Sequence, residues 1–267
     1  MSISPNALLI LAPRVTDDSV AMWRVARDAG WLTQRLANWR VPDELKTFSG
    51  DIAIYAEPLF AEAVVDQIGF VLLEPPIDWL VKLPKSLRHR EVSIMRLSEA
   101  RSRVTNQFVK PADGKIFEPK VYAKGEDLPK VEQVEDIQVL VSEPVTFLNE
   151  FRCFVLEGVV LSACPYWRND ALAQAADGSW PFHGNEEAEA MAFAQEVLTH
   201  PEVTCPPAFV LDVGCTREHG WAVIEGNPCW GAGLYGCNPS AALETGRRAV
   251  RRGNGLTAED ERWVSRK

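Results

Sequence analysis

With 267 residues, 46% of them hydrophobic and 24% charged, the chain has an ordinary globular composition and enough length for one large domain or two modest ones. A formal net charge of −9 argues against nucleic-acid binding through the overall field, although a local basic groove can still carry phosphates. Six irregularly spaced cysteines, with no CxxC pair and no histidine cluster, argue against a zinc site or redox dithiol and fit a reducing cytoplasm. No apolar run is long enough for a membrane span, and the opening MSISPNALLILAP has neither the apolar length nor the basic region of a signal peptide.

Ala7 to Leu11 reads as a compact apolar strand, followed by capping groups at Asp17, Asp18 and Ser19 and a helix over Val20 to Ala29. Further strands are predicted at Gln34 to Trp39, Asp51 to Tyr55 and Phe70 to Leu73, with a helix over Leu59 to Ile68. The alternation predicts a small, mostly parallel α/β sheet through about Pro76. There is no GxGxxG after the first strand and no GxxxxGK[ST] anywhere, so Rossmann and P-loop readings fall away. Pro75, Pro76 and Pro84 mark a connection before a predicted helix carrying Arg88, Arg90 and Arg96.

Gln107 to Lys110 reads as a short strand ending in FVKP, then the Asp113-Gly114 turn and the run Lys115 to Tyr122. A lysine at a strand end, fixed by apolar neighbours, is placed to meet phosphate oxygens as a point charge; an exposed lysine without a role is the plainer alternative. Ile137 to Val141 is a strand leading into Ser142-Glu143-Pro144-Val145. A segment crossing between two lobes can offer adenine its backbone amide and carbonyl, while an acid further on accepts from ribose hydroxyls. Glu143 and Glu150 have that order, although ordinary surface positions are the plainer account of both.

Glu150-Phe151-Arg152 opens a hairpin returning through Val159 to Ala163 and Tyr166-Trp167-Arg168-Asn169. Two arginines along one phosphate path, Arg152 and Arg168, would stabilise charge on transferring phosphoryl oxygens; arginines covering aromatic faces are the alternative. His183 lies in a loop and reads as solvated, before an amphipathic helix over Glu186 to Leu198. Ala208 to Val213 and Trp221 to Ile224 form a second hairpin bracketed by Gly214 and Gly220.

Asp212 ends the first strand of that hairpin, while Glu225 and Asn227 end the second. Carboxylate and amide oxygens suit a hard cation such as Mg²⁺, which shares its site with phosphates; a solvent-facing hairpin would carry the same residues. For Asp212 to face with Glu225, the turn must leave an even number of residues unpaired, unless a bulge intervenes. Gly231, Gly233 and Gly236 then supply bare backbone for an anionic ligand. A final helix follows Asn238-Pro239-Ser240. The basic run Arg247, Arg248, Arg251 and Arg252 reads as its solvated face, and the tail after Gly253 has little to bury.

The ordered set FVKP, SEPV, EFR, YWRN, VLDVG and IEGNP, spanning roughly 83–252, resembles the ATP-grasp superfamily, and KIF at Lys115 to Phe117 resembles a divergent clade with rearranged phosphate lysines. The resemblance implies an α+β ATP-grasp fold: an N-terminal α/β domain over 1–83, a two-lobed ATP-grasp module over 84–253 and a tail over 254–267. It implies ATP and Mg²⁺, with Asp212, Glu225 and Asn227 on the metal and Lys110 and Lys115, or Lys120, on phosphate. Arg90, or Arg88, matches the clade's arginine before the lysine strand. Glu143, Pro144, Val145 and Thr146 would meet adenine, Glu150 ribose, and Arg168 with Arg152 the acyl phosphate. The implied chemistry is ligation of a small-molecule or peptide carboxylate to an amine in the cytoplasm; phosphotransfer and non-catalytic ATP binding are the alternatives.

Overall fold

The protein is described from a computed structural model covering residues 6–130 and 136–265. Met1 to Pro5 of the opening and the last two residues of the tail fall outside this range, as do residues 131–135. Strands β1 (Ala7–Leu11), β2 (Leu32–Arg35) and β3 (Asp51–Tyr55) form a parallel sheet in the order β2-β1-β3. Every residue of β1 is buried, because a central parallel strand is covered on both faces. Pairing of β1 with β2 stops at Leu11 opposite Arg35, so β2 ends before the predicted Trp39. The helix Asp17–Asp28 is capped by Thr16, which accepts from Ser19 in a capping box, rather than by the two aspartates.

Strand β4 (Phe70–Leu72) departs from the expected parallel sheet and pairs antiparallel with a strand from the far end of the chain, Val250–Arg252. The predicted arginine-bearing helix is also reduced. A single turn, Lys85–Arg88, ends at His89 with φ 50°, leaving Arg90 on a connecting segment and Arg96 at the end of β5 (Val92–Arg96).

A four-stranded antiparallel sheet follows, built from β5, β6 (Thr105–Pro111), β7 (Lys120–Lys124) and β8 (Gln138–Ser142) in the order β5-β8-β6-β7. The helix Leu97–Arg103 closes it over a core of Leu97, Ala100, Val109, Tyr122 and Val141. Glu143 to Thr146 then cross to a five-stranded sheet. It comprises β9 (Phe147–Leu156), β10 (Val159–Arg168), β11 (Ala171–Leu172), β12 (Ala208–Thr216) and β13 (Gly220–Asn227), ordered β11-β10-β9-β12-β13.

This second sheet is buried on both faces, which is why its central strands read as continuous apolar runs. Phe151, Cys153, Phe209 and Leu211 face the helix Glu186–Thr199, while Phe154, Ala208 and Val210 face the N-terminal sheet and the helix Pro239–Ala249. By strand alternation Arg152 follows Phe154, and Asp212 follows Val210, onto the second face. Both polar groups therefore arise where that apolar face runs out.

The C-terminal expectation is corrected. Trp263 is buried in the core, Val264 bridges Leu73, and Arg248 and Arg251 close on Asp260, which is 0% exposed. The basic run is held by an acid that arrives from the tail. Among the described residues no helix is long and apolar enough to cross a membrane.

Candidate functional site

The hairpin β12–β13 places its polar ends together through an irregularity. Thr216 pairs with Gly220, leaving Arg217, Glu218 and His219 in the turn, an odd number that would put Asp212 opposite Ile224. Instead Val213 pairs with Val223 and Asp212 with Glu225, so Ile224 is an extra residue and the pairing meets the condition by a bulge.

Around this pair the contacts are dense. Arg152 grips Asp212 with two parallel bonds, Nε to Oδ1 at 3.0 Å and Nη2 to Oδ2 at 2.7 Å, and its Nη1 donates to the Gly233 carbonyl at 3.0 Å. The guanidinium also sits 5.3 and 4.9 Å from the rings of Tyr166 and Tyr235. Asn227 Nδ2 lies 2.9 Å from both Asp212 Oδ2 and Glu225 Oε1. From the opposite sheet, Lys110 at the end of β6 donates to Glu225 Oε2.

These charges set the local electrostatics. Burial drives the Asp212 carboxyl above the usual carboxylate range despite the Arg152 fork. Burial pushes Glu225 the same way, but Lys110 and Asn227 outweigh it and hold Glu225 at about 2. Glu150, one strand away, is raised chiefly by burial and accepts from Tyr166 Oη at 2.5 Å.

The other predicted residues are distributed around this centre. Glu143 begins the crossing segment, where its carboxylate accepts from Glu91 N at 2.7 Å; Pro144 and Thr146 are exposed and Val145 partly so. Arg168 reaches Glu186 Oε2 at 2.6 Å and leaves its buried Nε without a partner. Lys115 is exposed in the loop between β6 and β7, and Lys120 pairs with Glu118 at 2.8 Å. Arg90 is buried against β13, its Nη1 and Nη2 donating to Val223 and Ile224 carbonyls at 2.8 and 2.9 Å. Desolvation lowers its guanidinium to about 10.

The arrangement is thus two sheets joined by a short crossing, with a cation from one meeting paired acids of the other. The model of an ATP-grasp domain family, the second family of its clade, matches residues 87–245. This chain belongs to that ATP-grasp family.

Among solved structures, this ATP-grasp chain is similar to N5-carboxyaminoimidazole synthetase from Staphylococcus aureus, with TM-score 0.56 and 11% identity over 93% of this chain and 78% of that one. A RimK domain ATP-grasp protein from Sphaerobacter thermophilus gives TM-score 0.56 and 12% identity over 89% and 97% of the two chains. The ATP-grasp ligase PsnB, complexed with precursor peptide PsnA2 and AMPPNP, gives TM-score 0.50 and 13% identity over 92% and 99%. At these identities the likeness is one of fold. No curated protein matches the chain in sequence.

In this ATP-grasp domain the donor set fits a hard cation. Asp212 has four lone-pair positions, of which Arg152 takes two and Asn227 a third. The Asn227 amide nitrogen occupies the point where the carboxylates converge, and half a turn of that amide presents its oxygen there instead. Among the described residues no three His, Cys, Asp or Glu side chains form a metal cluster; with its oxygen turned inward, Asn227 would add a third oxygen donor to Asp212 and Glu225.

The sequence reading missed what the N-terminal sheet contributes. Asp18, read there as a cap, accepts from Tyr55 Oη at 3.0 Å and from Leu234 N at 2.9 Å, joining that sheet to the glycine-rich loop. Asp18 and Leu234 lie 216 residues apart, and nothing local to either signals the contact.

Proposed function

We propose that this ATP-grasp domain is an ATP- and Mg²⁺-dependent ligase that joins a carboxylate to an amine or similar nucleophile through an acyl phosphate. The observation that carries the reading is the meeting of Lys110 from β6 with Glu225, Asn227 and Asp212 from the β12–β13 hairpin. Family membership supports the nucleotide.

In this reading Asp212, Glu225 and Asn227 hold Mg²⁺, which when bound neutralises phosphate charge. Lys110, released from Glu225, turns to phosphate oxygens, with Lys115 bordering the same path; Arg90, whose fork is taken up by the Arg88, Val223 and Ile224 carbonyls, stands behind the metal donors. The crossing segment Glu143, Pro144, Val145 and Thr146 receives adenine, and Glu150 accepts from the ribose hydroxyls. Substrate carboxylate oxygen attacks the γ-phosphorus, the bond to the bridging oxygen breaks and ADP leaves. The amine then attacks the acyl carbon, inorganic phosphate departs and the nitrogen loses a proton. Arg168 and Arg152 steady the oxyanions, so the protein acts by positioning and charge neutralisation.

The test is ADP release measured across pairs of candidate acids and amines, small molecules and peptides included. Release only when both partners are present supports ligation. Release with a single phosphate acceptor identifies a phosphotransferase, and ATP binding without turnover across the panel identifies a binding protein; either overturns the proposal.

A further inference from the structure

The bulge that aligns the metal donors is itself held from outside. In an unbroken strand consecutive carbonyls point to opposite edges, so one side chain cannot take both. Strand β13 is the edge of its sheet, and Arg90 bonds the consecutive carbonyls of Val223 at 2.8 Å and Ile224 at 2.9 Å. Both therefore face the outer edge, a geometry that the bulge provides. The same fork is anchored by Nη1 to the Arg88 carbonyl at 2.9 Å, with the Phe147 ring 5.6 Å from the guanidinium carbon.

Removing the bulge while keeping the turn slides Asp212 opposite Ile224 and sends Glu225 to the other face. Register at this point decides whether two carboxylates meet. Sheet pairing alone does not favour the extra residue, because it interrupts the ladder. The two carbonyls that it exposes need donors, and the Arg90 fork supplies both.

We propose that Arg90 is a positioning residue, which clamps the Val223–Ile224 bulge and so sets Glu225 beside Asp212 for the metal. It rests on the ATP- and Mg²⁺-dependent reading above. It assigns Arg90 an effect on nucleotide binding that runs through the metal donors rather than through phosphate contact.

The experiment measures ADP binding by calorimetry on the full chain, with excess Mg²⁺ and with EDTA, for wild type, Arg90→Lys and Arg90→Gln. Wild type should bind ADP more tightly with Mg²⁺. Both variants should lose about 10-fold or more of that gain, the usual scale for outer-sphere partners of a metal site, with their affinity in EDTA little changed. Manganese paramagnetic resonance of the Mn²⁺–ADP complex should show the altered ligand set. Equal loss with Mg²⁺ and with EDTA indicates direct phosphate contact and overturns the proposal, as does an unchanged gain in Arg90→Lys.

Deletion of Ile224 separates this role from folding. It removes the extra residue yet leaves Glu225 opposite Asp212, so Arg90→Gln in that background should no longer reduce the Mg²⁺ gain. Loss there as large as in the parent background overturns the clamp. Wild type that binds ADP equally with and without Mg²⁺ overturns the metal reading itself, and the proposal with it.

Discussion

The Lys110 ammonium, from the four-stranded sheet, is bonded to the Glu225 carboxylate, from the five-stranded sheet. Each side chain keeps partial contact with solvent, at 24% and 28% exposure, so the pair sits at the mouth of the space between the sheets. Lys110 is steadied by the fully buried Val109 before it and Pro111 after it.

Lys110→Met should weaken ADP binding in the presence of Mg²⁺ by about 10-fold to 100-fold, the scale of a charge-assisted hydrogen bond. Lys110→Arg should not restore it fully, because a planar fork replaces a point charge. Calorimetry on the folded variants measures both.

Glu225 gives a pH signature. Its folded carboxyl is held at about 2, below the 4.5 of the free group. Its contribution is therefore fully present above about pH 5 and disappears as pH falls toward 2. Glu225→Gln should flatten that acid limb by roughly 1–3 kcal/mol, a range that allows for partial solvent screening. Denaturant titrations between pH 2 and pH 6 read the difference between the two proteins.

Arg152→Met strands the fully buried Asp212 without its counter-charge. It should cost about 3–5 kcal/mol, the scale for breaking a buried ion pair from one side. Arg152→Met with Asp212→Leu should recover part of that stability, because no buried charge remains. Urea midpoints of wild type, both single variants and the double variant supply the cycle.

The tail gives a fourth outcome. Asp260 is fully buried between Arg248 and Arg251, whose side chains are 20% and 36% exposed. Since both arginines can reach water, Asp260→Ala should cost only about 1–3 kcal/mol. Thermal denaturation checks this, with ADP affinity unchanged because the cluster lies outside the proposed nucleotide site.

Much of the architecture was readable because local chemistry specified it. The apolar ALLIL strand, the AFVLDV strand and the Asn238-Pro239 helix start each carry their own burial or capping signal, and each forms near its predicted place. The crossing segment was legible from Ser142-Glu143-Pro144, where a proline interrupts two β-rich runs. The residue types of the site, acids and an amide closing one hairpin and a lysine closing a distant strand, were likewise visible.

Other features had no local signal. The pairing of Phe70–Leu72 with the C-terminal strand, and Asp260 beneath the basic run, depend on segments that meet only after the core closes. Asp18 reached the glycine-rich loop in the same way.

The sequence by itself determined the chemistry available: which oxygen donors and cations exist, and which strands carry them. Only the tertiary structure decided that Ile224 would be left over between Val223 and Glu225, and that Arg90 would lie against its carbonyl. The reason is geometric. One residue of register reverses every side chain beyond it, and register is settled by contacts between segments rather than by the residues of either strand.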